Sequence, residues 1–492
     1  MGAEKQTEGS IGTGVIGAGP AGLTAGHVLA GRGAPATVFE ADGIVGGIAK
    51  TVEFRGYRFD LGGHRFYTKL APVQRMWERV LGEEFLERER LSRIYYRQRF
   101  FDYPLTASDV FGGLGPVESA RCALSYVWAQ WRFRNLEPDT FEEWVVSRFG
   151  RRIYDDFFRS YTLKVWGIPG SEIRSEWAAQ RIQSFNLWQA VLGILNLRRE
   201  HAQTLIESFH YPRLGPGQLW ERLADQITGA GVPVRLNHRV EAVMHEGSRV
   251  TGMCVSEGGT EREVAVDSLI STMPLSDLVL ALEPRAPADV RDAAELLRYR
   301  NLCLVALILD EDAPFPDNWI YLHDSAVTAG RVQNFGAWSP DMVQPGAGCL
   351  GVEYFCFPED DIWKMDDADA VRLATDELAS IGLIDPARVV DGVKVAVPRA
   401  YPMYDAQYRE AVAELRGYLE SFDNLQTCGR NGLHRYNNQD HSMWTAVLAA
   451  LNLLDGSEHD VWGVNVGDEY LEEADVVESE LGAEIAQPFQ PD

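Results

Sequence analysis

Six residues near the start of the chain, Gly17-Ala18-Gly19-Pro20-Ala21-Gly22, have the spacing that lets a backbone wrap a pyrophosphate. Gly17 permits a tight turn, Gly19 lets the main chain approach the anion, and Gly22 lets the following helix pack closely on a sheet with its N-terminus toward the phosphates. Glu40, at the end of the run Ala36 to Phe39, is placed to accept a hydrogen bond from a ribose hydroxyl. Thr13 to Ile16 reads as the strand that delivers the glycines, and a helix continues from them to about Ala30. Strand, glycines, helix and acid in this order indicate a dinucleotide site. They do not separate NAD from FAD.

The bulk properties narrow the function classes. A chain of 492 residues calls for two or three structural units. Its net charge of -26 repels phosphate backbones and excludes sequence-independent nucleic-acid binding. No apolar run reaches the length of a membrane span; the longest, such as Ala446 to Leu454, suits a buried helix. The polar stretch Met1 to Ser10 lacks the hydrophobic segment of a secretory signal, so a cytoplasmic location is expected. Six scattered cysteines form no CxxC pair, and the ten histidines no HExxH, so neither a disulfide framework nor a metal site is expected.

Beyond the first glycines, Glu40-Ala41-Asp42-Gly43-Ile44-Val45-Gly46-Gly47 resembles the extended motif of the flavoprotein superfamily that contains amine oxidases and protoporphyrinogen oxidases. That resemblance implies FAD, with Gly46 and Gly47 joining Gly17, Gly19, Gly22 and Glu40 in holding it. Three further segments resemble UDP-galactopyranose mutases. Phe59-Asp60-Leu61-Gly62-Gly63-His64-Arg65-Phe66-Tyr67-Thr68 is similar to their flavin-proximal loop, which implies that Gly62, Gly63 and His64 lie at the isoalloxazine; a structural histidine bonded to backbone is the alternative for His64. Tyr161-Thr162-Leu163-Lys164-Val165-Trp166-Gly167 is similar to a segment whose tyrosine and tryptophan line the substrate pocket. Cys428 to Asp440 resembles the segment that returns to the flavin, which implies contacts from Arg430 and Asp440 and places His434 and Tyr436 near the substrate. Tyr401, in Arg399-Ala400-Tyr401-Pro402-Met403-Tyr404-Asp405, and Arg331, in Gly330-Arg331-Val332-Gln333, match pocket positions more loosely, Arg331 corresponding to an arginine on the substrate pyrophosphate. The whole chain also resembles bacterial NAD(P)/FAD-dependent oxidoreductases.

The departures from the mutase pattern concern the substrate. Where the mutases carry a second diphosphate-binding arginine, this chain has Arg181-Ile182-Gln183-Ser184-Phe185; His434 replaces a tyrosine and Asn438 an acid. The superfamily resemblance implies an α/β fold: a discontinuous Rossmann-like FAD-binding domain from about residues 10–75, 215–285 and 395–460, with a helical cap at 76–214 and a β-rich substrate domain at 286–394. The acidic stretch 461–492 reads as a solvated tail. Of the thirteen tryptophans only Trp166 is assigned to the pocket.

Two functions follow. One is a redox-neutral rearrangement of an activated nucleotide sugar through reduced flavin, with Arg331, Tyr161, Trp166, Tyr401 and Tyr436 shaping the pocket and NAD(P)H or another reductant supplying the electrons. The other is a conventional oxidase or dehydrogenase of a sugar, amine or polycyclic small molecule, which requires positioning more than an identifiable base.

Overall fold

The computed structural model describes residues 7–8, 10–103, 116–134, 136–177 and 208–465, a mixed α/β fold built around a parallel sheet. That sheet runs Val234–Arg235, Ala36–Phe39, Thr13–Ile16, Ser268–Ser271, Leu425–Thr427, every neighbour parallel. Thr13–Ile16 and Ala36–Phe39 are buried along their whole length, as short apolar runs must be when helices cover both faces. Helix Pro20–Gly31 packs against the long C-terminal helix Gln439–Asp455, whose middle, Thr445 to Leu451, is fully enclosed. A second sheet, with Arg249–Glu257 between His238–Glu246 and Thr260–Ala265, extends the same core.

The remaining large element is a seven-stranded sheet in the order Val389–Pro402, Tyr299–Leu309, Gly348–Cys356, Arg331–Asn334, Trp319–Leu322, Ser92–Tyr96, Arg99–Asp102. Helix Asp367–Ser380 closes its outer face through Ala370, Ala374 and Leu378. Strand Val389–Pro402 crosses residue 394, so this sheet and the nucleotide-side segments share one continuous strand rather than meeting at a linker.

Two readings of the sequence are corrected here. The 76–214 region is not only helical: Ser92–Tyr96 and Arg99–Asp102 complete the large sheet, and Phe85–Glu89 pairs with Ser208–Pro212. The hairpin turn is Arg97-Gln98, both at positive φ, a primed turn that lacks the usual Asn-Gly signature. Among the described residues its helices include Pro116–Arg132, Phe141–Phe149 and a run from Arg151 to Trp166 with a π-helical turn at Tyr154–Phe158. The C-terminal stretch is not wholly a solvated tail either, because Val461 and Trp462 are buried in the nucleotide-side core; Asp468 and the acids after it lie outside the described residues.

A hairpin, Thr51–Phe54 with Tyr57–Asp60, carries the chain from the Gly46-Gly47 loop to the His64 loop. At its base Asp60 is fully buried, accepting from Thr51 Oγ1 at 2.9 Å and from the Tyr211 hydroxyl. Desolvation raises its pKa to about 7 from 3.8, against the lowering effect of these two bonds. A carboxyl held protonated in the fold favours the folded state below its unfolded pKa and loses that advantage as the pH rises through the folded one. Asp60 is therefore expected to contribute a loss of stability of roughly 1 kcal/mol per pH unit between about pH 4 and about pH 7, and Asp60→Asn is expected to remove that contribution from the slope of melting temperature against pH. An unchanged slope in the variant would assign the pH dependence elsewhere.

Candidate active site

The nucleotide end of the site is built from backbone. Gly17, at φ +95°, turns the chain out of the sheet with its N–H on Phe39 O at 2.8 Å, and a Cβ there would lie 2.3 Å from Thr272 Oγ1. A Cβ on Gly22 would lie 1.8 Å from Gly17 O, so helix and turn can touch only without one. Glu40 fastens the loops: Oε2 accepts from Ala18 N at 2.7 Å and Oε1 from Asp42 N at 2.8 Å, while Gly46 N donates to Ala18 O at 2.8 Å. This leaves Gly19 and Gly47 face to face with no side chain between them. Helix Gln439–Asp455 brings a second N-terminus to the same cavity, but Asp440 in its first turn already accepts from His441 N–H at 2.8 Å, so the helix end that favours negative charge there is that of Pro20–Gly31. The dinucleotide cradle fits FAD on this geometry.

From that floor one continuous cavity of about 1560 Å³ extends to the seven-stranded sheet. Pockets for single small ligands span roughly 300–1,000 Å³, so this space suits a dinucleotide and a substrate together. His64 lies on its wall with Nδ1 lacking a hydrogen-bond partner, and desolvation, then the charges of Arg430 and Arg331, hold its pKa down at about 4. The imidazole is neutral at pH 7. Arg430 donates to Ala400 O at 3.0 Å and Asn437 O at 3.1 Å and lies 4.0 Å over the Tyr436 ring, pairing with no carboxylate among the described residues.

Strand register assembles the opposite wall in rows. Tyr321 stands opposite Arg331, and Arg331 opposite Glu353, across three antiparallel strands. Glu353 is fully buried; its Oε2 accepts from Arg331 Nε at 2.8 Å and its Oε1 from Gln333 at 2.6 Å. Arg331 also donates to the Tyr401 hydroxyl at 3.2 Å. Burial works against its charge, but the Glu353 carboxylate outweighs that and holds the guanidinium firmly protonated. Tyr401 stacks on Tyr436 with ring centroids 5.6 Å apart, Trp166 meets both rings edge-on, and Tyr161 stacks on His323 at 4.1 Å. Burial pushes the Tyr161 and Tyr401 hydroxyls above their ordinary pKa, so both are protonated donors. Behind them Lys164 donates to three backbone carbonyls, Leu322 at 2.7 Å, Asp324 at 2.9 Å and Ala329 at 3.1 Å, binding its helix to the loop between the His323 and Arg331 strands.

The cavity thus gathers Gly17, Gly19, Gly47, Glu40, Gly62, Gly63, His64, Tyr161, Trp166, Arg331, Tyr401, Arg430, Tyr436 and Asp440, with Gly22 and Gly46 shaping its floor. His434 is the exception and its assignment is corrected: at φ +46° its ring turns away from the cavity wall, bonds Met403 O at 3.1 Å and packs edge-on to Tyr299. Assigning Trp166 alone among the tryptophans was also too narrow, since Trp177, Trp319, Trp338 and Trp444 line the cavity. Gln333, Tyr321 and His323 were missed; alternation along Trp319–Leu322 and Arg331–Asn334 is the signal that places Tyr321 and Gln333 on one face. Phe185 and Arg181 lie outside the described residues. Glu118, Cys122 and Asp156 bring ligand-type atoms within 4.8 Å of one another, but Arg97, Arg121 and Arg152 pair with those acids, which makes the group an ion-pair cluster.

A Cβ on Gly19 would meet only Gly47, its Cα at 3.7 Å and its N at 3.9 Å, both ordinary contacts, so Gly19→Ala is expected to fold normally while its methyl enters the space of the pyrophosphate. FAD retention should weaken by about tenfold or more, roughly 1.4 kcal/mol, with the melting temperature of the apoprotein unchanged. Gly22→Ala should instead lower that temperature or prevent soluble expression. A fully yellow Gly19→Ala protein would remove Gly19 from the cofactor's path.

Comparison with known proteins agrees with this geometry. A phytoene dehydrogenase of Streptomyces griseus is 26% identical over 297 residues, covering 56% of this chain and 57% of that protein. A probable UDP-galactopyranose mutase of Klebsiella pneumoniae is 45% identical over 38 residues, 8% of this chain and 10% of that one. The chain therefore spans about half of the first curated relative and a tenth of the second. Among solved structures, a reduced UDP-galactopyranose mutase superposes with a TM-score of 0.81 at 21% identity, covering 93% of this chain and 97% of the other. A putative protoporphyrinogen oxidase from Exiguobacterium sp. 255-15 follows at 0.69 and 16% identity, with 91% and 100% covered. Residues 20–410 match the model of the flavin containing amine oxidoreductases, and the chain belongs to that family of FAD-dependent enzymes.

Proposed function

We propose that this enzyme rearranges an activated, nucleotide-linked sugar without net redox change. The observation that carries the reading is the wall formed by Tyr161, Tyr321, Tyr401 and Tyr436 around Arg331, a set of aromatic faces with hydroxyl tips that suits a polyhydroxylated ring. Glu353, the carboxylate behind that wall, is committed to Arg331 and Gln333. Arg430, uncompensated by a carboxylate among the described residues, and the N-terminus of helix Pro20–Gly31 favour anions in a chain that is otherwise strongly acidic. Bound reduced FAD supplies a nucleophilic ring nitrogen toward an anomeric carbon. The chain's own part is to hold Tyr401 through Arg331, to present neutral His64 beside the flavin, and to exclude water with Trp166 and its neighbours. In this reading the nucleotide-binding unit comprises about residues 10–75, 215–285 and 395–460, with Gly17, Gly19, Gly22, Glu40, Gly46, Gly47, Gly62, Gly63, Arg430 and Asp440 on the cofactor.

A second reading has its own support. One end of the cavity is apolar, lined by Phe141, Phe149, Ile153, Phe157 and Phe158, which suits hydride removal from an apolar or polycyclic molecule. The similarity to a phytoene dehydrogenase over 297 residues points the same way.

Turnover of nucleotide sugars under dithionite, set beside oxygen consumption and peroxide release in air, separates the two. The first reading expects product only from the reduced enzyme and none of the oxygen chemistry; steady oxygen consumption with an apolar or amine substrate overturns it. Within the first reading, Tyr401→Phe removes one hydrogen bond from Arg331 and is expected to lower kcat/KM about tenfold while the flavin spectrum stays unchanged. A full-activity Tyr401→Phe enzyme would take the Arg331 row out of substrate binding.

A further inference from the structure

Among the described residues the large exposed apolar side chains concentrate on helix Pro116–Arg132, where Val117, Leu124, Val127, Trp128 and Trp131 are 66%, 72%, 56%, 51% and 77% exposed. At about 100° per residue these five fall within an arc of roughly 100°, a single stripe. The opposite face carries Ser119, Cys122 and Ala129, all buried, with Cys122 in the same apolar cluster as Phe141, Trp144 and Phe149. The helix is therefore inverted relative to an ordinary surface helix: small side chains pack inward and the large apolar ones meet water. A patch of this kind marks a surface that something else covers.

Charge identifies the occupant. In the ion pairs around this helix, Arg97 with Asp156, Arg121 and Arg152 with Glu118, and Arg159 with Asp155, the guanidinium is in every case the more exposed member and the carboxylate lies beneath it. Arg132 and Arg134 are exposed at the C-terminal end of the stripe, next to Trp131. An outward arginine rim on a chain of net charge -26 is a local reversal of sign. We propose that this helix seats the enzyme on an anionic lipid surface, with the apolar stripe at the acyl boundary, Trp128 and Trp131 at headgroup level and the arginines on the phosphates. No helix among the described residues is long and apolar enough to cross a membrane, so the seat is peripheral. A second copy fits less well, because a two-fold contact through this face would bring the same outward guanidiniums together.

The placement also has a functional side. Phe149, Ile153 and Phe157, in the helices beneath the stripe, line the apolar end of the cavity. The docked face therefore adjoins the part of the site that would receive an apolar substituent. This inference rests on the helix and its charges and is independent of the nucleotide-sugar reading.

Flotation of the full-length, FAD-loaded protein with vesicles tests it. The protein is expected to float with phosphatidylcholine vesicles containing phosphatidylglycerol, much less with phosphatidylcholine alone, and less as salt is raised. Leu124→Glu and Trp131→Glu, at exposed positions, should cut the floated fraction about tenfold with flavin absorbance and circular dichroism unchanged, and Trp131→Phe should keep it. Wild-type protein that stays with neither vesicle overturns the proposal. So does binding that survives both glutamates, or a dimer in sedimentation that Trp131→Glu dissolves.

Discussion

Burying a carboxylate costs free energy unless cations and donors enclose it, and Glu353 has no exposed surface. Its needs are met only if Arg331 and Gln333, two apart on the next strand, turn the same way, and register then sets Tyr321 and Trp319 in line beyond them. Removing one partner from a buried pair costs about 3–5 kcal/mol. The pair therefore acts as a lock on which face of the large sheet meets the cavity. Because Arg331 also holds the Tyr401 hydroxyl, the lock reaches strand Val389–Pro402 and, through the Tyr401–Tyr436 stack, the segment carrying Arg430.

The two ends of the site solve the same problem, the approach of a large ligand, by opposite means. At the nucleotide end the chain withdraws its side chains and offers amides, which suits a pyrophosphate. At the other end it projects aromatic rings with polar tips. Neutral His64 and positive Arg430 stand at the junction, where burial and the nearby guanidiniums keep the imidazole uncharged.

Legibility in the sequence follows the same division. The nucleotide end is local: Gly17 to Gly22 and Glu40 lie on two adjacent strands and one helix, so spacing alone reveals them. The opposite wall draws Tyr161, Tyr321, Gln333 and Tyr401, with Glu353 behind them, from strands and helices hundreds of positions apart in some cases, and only register brings them together. Resemblance named Tyr161, Tyr401 and Arg331, which line the cavity, but not the carboxylate that orients Arg331. His434 shows the opposite failure, since its place in a matching segment suggested the pocket while a left-handed backbone turned it inward. The expected helical cap missed four strands, two of which are joined at Arg97-Gln98 by a turn with no glycine or asparagine to announce it.

The ring of carbonyls around Lys164 Nζ has the character of an alkali-cation cage, oxygen donors pointed at one positive centre. Here the cation arrives on its own tether. Desolvation lowers its pKa to about 8, the opposing pull of Glu377 and Asp324 notwithstanding, so it remains largely charged at neutral pH. A free ion in such a cage would exchange with the medium, and the loop it organises would follow the salt composition of its surroundings. A covalently carried one does not exchange, so the loop that joins His323 to Arg331 has its counter-charge supplied by the fold itself.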